Sequence, residues 1–94
     1  MKIVINTRYG GFGLSEEAEA KYKGILGITD PDYYPSTDVP RDCPVLVVLV
    51  QEMGERANTP YSTLKVVEIP DDVDWYIAEY DGSEHIAEVH RTWS

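Results

Sequence analysis

Cysteine occurs once in this chain, at Cys43. A single thiol excludes an internal disulfide and a zinc site built from cysteines, and it makes a reducing, cytoplasmic setting the default. Positive charge is also scarce. Eight basic residues stand against 17 acidic ones, a net charge of −9. General nucleic-acid binding needs a basic face to displace counterions, so that class is excluded. The one sustained apolar run, Val45 to Val50, is too short to cross a bilayer, and no membrane association is expected. No basic leader followed by a long apolar stretch opens the chain, so no signal peptide is expected. The dinucleotide and P-loop glycine patterns are missing as well; the run Gly10-Gly11-Phe12-Gly13 lacks their spacing and the P-loop lysine.

The 94 residues suffice for one domain, residues 1–94, with a single modest core. Lys2 to Asn6 alternate and are rich in isoleucine and valine, which predicts a strand. Ser15 is a strong helix N-cap, and Glu16 and Glu17 then fall in the first turn, where the dipole favours negative charge. The helix is expected from Glu16 to Lys23, with Gly24 and Gly27 as stops and Leu14, Ala18, Tyr22 and Leu26 facing the core. Four X-Pro pairs between Asp30 and Pro44 predict an irregular surface segment. Pro44 fits the first turn of a second helix. Leu46, Leu49, Val50, Met53 and Ala57 form its buried stripe, to about Ala57. Val45 and Val48 on its far side exceed what one small core needs, which points to a subunit contact and a homo-oligomer.

Leu64 to Ile69 reads as a strand ended by Pro70, and Trp75 to Tyr80 as another. Asp81-Gly82 is a type I′ hairpin signal, so the chain should return as a strand from Ser83 to Arg91; a short helix is the competitor there. The expected fold is α+β: two helices on one face of a small mixed β-sheet, in the order β-α-loop-α-β-β-β.

No residue earns a catalytic role. Cys43 precedes proline in an apolar context, Ser15 is explained as a cap, and the pairs Asp71/Asp72 and Glu16/Glu17 read as turn and dipole residues. His85, Glu88 and His90 carry ligand atoms for a metal, but in a strand His85 faces away from the other two, so no metal is assigned, and no cofactor. The remaining chemistry is recognition. Arg8, His90 and Arg91 can pair phosphate oxygens. The backbone N–H groups of Gly10, Gly11 and Gly13 and the helix start at Ser15 can add donors, and Tyr9, Tyr80 or Trp93 can stack on a base. The alternative for the glycines is a tight strand-to-helix turn without a ligand, and for Trp93 an anchor of the chain end.

The stretches Lys2 to Ser15 (KIVINTRYGGFGLS) and Leu64 to Trp93 (LKVVEIPDDVDWYIAEYDGSEHIAEVHRTW) resemble a group of small uncharacterised proteins of phages and bacterial prophages. The middle fits more loosely, through Pro44 and the stretch QEMGERAN; here the second helix carries valines and leucines where such proteins are more polar. The resemblance brings no catalytic residues. It implies a phage or prophage origin and a place in the host cytoplasm during infection. Small phage proteins without enzymatic motifs often act against host defence, and two modes suit this chain. One is an oligomeric sponge that sequesters a small anionic nucleotide immune signal without turnover. The other is an acidic inhibitor, DNA-mimicking in one form, that occupies a basic surface on a host defence protein. A structural part of the virion is a third class.

Overall fold

The structure is a computed structural model that describes residues 1–89. It is an α+β fold in the expected order. Strand β1 (Lys2–Asn6) leads through the glycine run to helix α1 (Glu16–Leu26), a single turn α2 (Pro35–Asp38) and helix α3 (Pro44–Met53), which tightens into a 3₁₀ turn (Gly54–Ala57). Strands β2 (Leu64–Glu68), β3 (Trp75–Tyr80) and β4 (Ser83–Glu88) follow. Among the described residues no helix is long and apolar enough to cross a membrane.

The local signals act as their chemistry dictates. Ser15 has extended backbone and its Oγ accepts the Ala18 N–H at 3.1 Å, while Glu16, Glu17 and Glu19 occupy the first turn. Ser15 Oγ also donates to the Arg56 carbonyl at 2.7 Å, so one hydroxyl caps α1 and ties it to the 3₁₀ turn. Ser15→Ala is expected to cost about 0.5–2 kcal/mol, the range for a lost N-cap. A urea titration that shows no fall in the unfolding midpoint would refute the capping role. At the other end Gly27 adopts the left-handed conformation and its N–H closes on the Lys23 carbonyl. Gly24 stays inside the helix, which therefore runs one turn beyond the expected stop.

The core lies between α1, α3 and one face of the β1–β2 pair: Val4, Leu14, Ala18, Tyr22, Leu46, Leu49, Val50, Met53 and Ala57 are all buried. Leu26 is the correction. It is 45% exposed, because a row of residues four apart drifts by about 40° per step on a helix of 3.6 residues per turn. Three steps from Leu14 carry Leu26 off the buried face. The α-helical part of α3 ends at Met53, where Gly54 takes a φ of +58°; the chain reaches Ala57 by a tighter turn.

The strands form two antiparallel pairs, β1–β2 and β3–β4, rather than one mixed sheet. The reason lies on the free edge of β1. Its outward groups are taken by side chains and loop: Val4 N–H donates to the Arg41 carbonyl at 2.9 Å, and Asn6 N–H donates to Glu84 Oε1 at 2.8 Å. The side chain of Glu84 stands where a neighbouring backbone would otherwise pair. The β3–β4 hairpin turns at Asp81 and Gly82, whose φ values of +50° and +89° are the pair of positive angles that a type I′ turn requires. The Ser83–Glu88 segment is a strand, as read; the helical alternative is excluded for those residues.

Candidate functional site

Asn6, at the end of β1, is completely buried and organises the corner beside it. Its Nδ2 donates to the carbonyls of Arg8 (2.7 Å) and Gly82 (2.8 Å), and its Oδ1 accepts the N–H groups of Arg8 (3.1 Å) and Thr63 (2.9 Å). One amide thus binds three chain segments: the glycine run, the loop before β2 and the β3–β4 turn. All four of its hydrogen-bonding positions are filled, as a buried amide requires.

The glycines answer the crowding that results. Gly10 N–H donates to the Asp81 carbonyl at 3.1 Å. A Cβ on Gly10 would stand 2.7 Å from the Tyr61 carbonyl oxygen, and one on Gly82 only 2.2 Å from the Gly11 nitrogen. Gly13 accepts the Ser62 hydroxyl at 2.8 Å. Three turns meet backbone to backbone, and only glycine fits at the closest approaches.

Several N–H groups around the start of α1 are already engaged. The Leu14 N–H donates to Ser36 Oγ, the Ser15 N–H to the Ala57 carbonyl and the Ala18 N–H to Ser15 Oγ. Three carboxylates crowd the first turn, and the Arg56 guanidinium beside Glu17 holds that carboxyl below its ordinary range. Arg8 is exposed and lines a depression of about 470 Å³ with Glu55, Asn58, Thr59, Ser62 and Thr63. The Thr59 and Ser62 hydroxyls there already bond to each other at 2.9 Å. Arg8, Tyr9, Gly10, Gly11, Gly13 and Ser15 therefore form one neighbourhood. His90, Arg91 and Trp93 lie outside the described residues.

The corner carries aromatic rings. Tyr9 is 66% exposed, and Tyr61 and Tyr80 are each 71% exposed. Each belongs to a different one of the touching turns: Tyr9 precedes Gly10, Tyr61 touches Gly10, and Tyr80 precedes Asp81. Acidic Glu79 and Asp81 are exposed in the same hairpin. Tyr61 was not singled out from the sequence. Its position next to Pro60 at a turn is the signal, because an aromatic beside a turn residue projects from a fixed backbone.

Behind this corner lies a second feature that spacing along the chain does not reveal. Arg41 meets Glu84 in a two-pronged ion pair, Nη1 to Oε1 at 2.6 Å and Nη2 to Oε2 at 2.9 Å. The guanidinium also covers the Phe12 ring, 3.5 Å from its centroid. The pair joins the glycine run, the loop before α3 and the β3–β4 hairpin.

Cys43 sits half-buried at the start of α3, its Sγ 3.6 Å from the Tyr22 hydroxyl. Burial pushes the thiol up, but the Leu46 backbone, the Tyr22 hydroxyl and the Val45 backbone outweigh it and leave the thiol below its ordinary range. Burial, together with Cys43 and Tyr33, raises the Tyr22 hydroxyl well above the usual phenol range, so it remains protonated. Tyr22 stacks on Tyr33 at 6.5 Å between ring centres, and the loop aromatic packs down onto the core. No protein-family model, curated protein or solved structure matches this chain.

Proposed function

We propose that this chain is a non-enzymatic binding protein that engages a basic protein surface through the tyrosine-rimmed corner. In the phage setting implied by the resemblance of its two ends, the partner is a host defence protein and the outcome is inhibition. The observation that carries the reading is that Tyr9, Tyr61 and Tyr80, each well exposed, stand on three turns whose backbones are locked together by Asn6 and the glycine contacts. Tyrosine supplies large contact area with few rotatable bonds, and rings held on a rigid backbone lose little entropy on binding. Glu79, Asp81 and the net charge of −9 favour a basic partner and speed its approach.

A nucleotide-capturing role is the second reading. It rests on Arg8 beside the depression formed with Asn58 and Thr63.

The test is protection of a defence-sensitive phage in a panel of hosts, each carrying one defence system. The triple variant Tyr9→Ala, Tyr61→Ala, Tyr80→Ala is expected to abolish protection while its circular dichroism and melting temperature stay close to those of the parent. Loss of at least tenfold in affinity for the purified partner should accompany it, since tyrosine is enriched among interface hot spots, which cost about 2 kcal/mol or more when truncated. Full protection by the triple variant, or no protection by the parent anywhere in the panel, would overturn the reading. A melting shift with cyclic dinucleotides or ADP-ribose derivatives that Arg8→Ala removes would put nucleotide capture first.

A further inference from the structure

Helices α1 and α3 run antiparallel. The Ser15 N–H at the start of α1 donates to the carbonyl of Ala57, just past the end of α3. Ile25, at the end of α1, lines a depression of about 270 Å³ with Pro44, Val45 and Val48 at the start of α3. On the outer surface of this pair Ile25 is 62% and Val48 51% exposed. Val48 borders a second depression on its other side, shared with Gln51 and Met1, and so stands as a ridge between two hollows.

Polar residues flank this surface in a particular order. Lys21 lies one turn before Ile25 on the same side of α1, and Glu52 one turn after Val48 on the same side of α3. Because the helices are antiparallel, Lys21 and Glu52 sit at one level. Both are exposed, and neither has an ion-pair partner among the described residues.

We infer that a second copy of this chain covers the α1–α3 surface, related by a two-fold axis that runs along the helix pair. Such an axis lays α1 of one copy over α3 of the other without changing level. Ile25 then meets Val48 of the partner copy and Lys21 meets its Glu52, each contact occurring twice. Each copy brings the same exposed apolar pair, Ile25 and Val48, to the contact. The surface is also self-complementary in charge, which matters for a chain of net charge −9. Two such chains repel across most of their surfaces. Here the apolar centre is bordered by Lys21 and Glu52, so at those positions association sets base against acid. Such an axis leaves both tyrosine corners at one end of the assembly, beyond the Ser15 end of α1, where Gly13 accepts the Ser62 hydroxyl. The inference stands whether or not those corners bind a protein.

Sedimentation velocity and light scattering at micromolar concentration are expected to give twice the 10.6 kDa chain mass. Val48→Asp should reduce it to the single-chain mass with unchanged circular dichroism; Ile25→Asp, at a position still more exposed, provides the same reading if Val48→Asp is poorly folded. Lys21→Glu and Glu52→Lys should each weaken association about tenfold, and the double exchange should restore it, since only facing charges recover in this way. A single-chain mass for the parent, a double mass that survives both aspartates, or a double exchange that fails to recover would each overturn the inference.

Discussion

Replacing Arg41 with methionine is expected to remove about 3–5 kcal/mol of folding stability, the range for a buried ion pair stripped of one partner. The Glu84 side chain is only 5% exposed, and both its oxygens are engaged by Arg41. Without the guanidinium, Glu84 keeps the Asn6 N–H as a donor to Oε1. That single bond is a poor match for a full charge held away from water. The ring of Phe12 loses its cation as well. A domain of this size has roughly 5–15 kcal/mol in total, so the variant should unfold at a much lower urea concentration. Arg41→Lys is expected to fall between parent and methionine variant, because an ammonium keeps the charge but cannot grip both oxygens or lie flat on the ring. The double variant Arg41→Met, Glu84→Leu should recover part of the loss by removing the stranded charge. Recovery should stay incomplete, since Asn6 N–H then has no acceptor. An Arg41→Met midpoint close to that of the parent would show that the ion pair does not hold the two strand pairs together.

The same residues explain how far the amino-acid sequence could be read. Features set by neighbours along the chain were legible. Ser15 marks the start of α1, Asp81-Gly82 marks the hairpin, and the spacing from Leu46 marks the buried side of α3, whereas the end of α1 was read one turn early because Gly24 sits inside the helix. Features set by distant partners were not. Arg41 and Glu84 are 43 positions apart, and neither lies in a motif, yet their pairing occupies the edge of β1 and divides the strands into two sheets. The glycine run was legible as a place of close approach but not as to what approaches. The loop signals at Pro60 and Gly82 are each ordinary; their meeting at Gly10 and Gly11 is a tertiary fact. Of the candidate site, the cluster from Arg8 to Ser15 could be named from local pattern. Its tyrosines needed the fold, because Tyr61 reaches the corner through tertiary contacts: Asn6 with Thr63, Gly13 with Ser62 and Gly10 with Tyr61 itself.

That convergence fixes the second large effect. Gly82→Ala is expected to destabilise the fold by about 3 kcal/mol or more, because two costs combine at one position. The first is conformational, since φ is +89° and a side chain rarely adopts it. The second is steric. The new Cβ would lie 2.2 Å from the Gly11 nitrogen and 2.7 Å from the Gly10 nitrogen. Those are backbone atoms, so no flexible side chain can yield; the hairpin turn must lift away from the glycine run. Lifting it breaks the Asn6 bond to the Gly82 carbonyl and the Gly10 bond to the Asp81 carbonyl. The neighbouring glycines grade the argument. Gly10→Ala meets the Tyr61 carbonyl oxygen at 2.7 Å at a φ of +134°, and should be nearly as damaging. Gly11→Ala has a φ of +98° but nothing within 4 Å, so only the conformational cost remains, about 1–3 kcal/mol. Urea unfolding of the three variants should therefore place Gly82 and Gly10 together and Gly11 above them. Amide exchange should quicken at Asn6 and Gly10 in Gly82→Ala before the core opens, since those N–H groups report the contact between the turns. Three equal losses would mean that backbone strain alone explains the glycines. A harmless Gly82→Ala would mean that the turns do not touch, and the rigid mounting of Tyr9, Tyr61 and Tyr80 would fall with it.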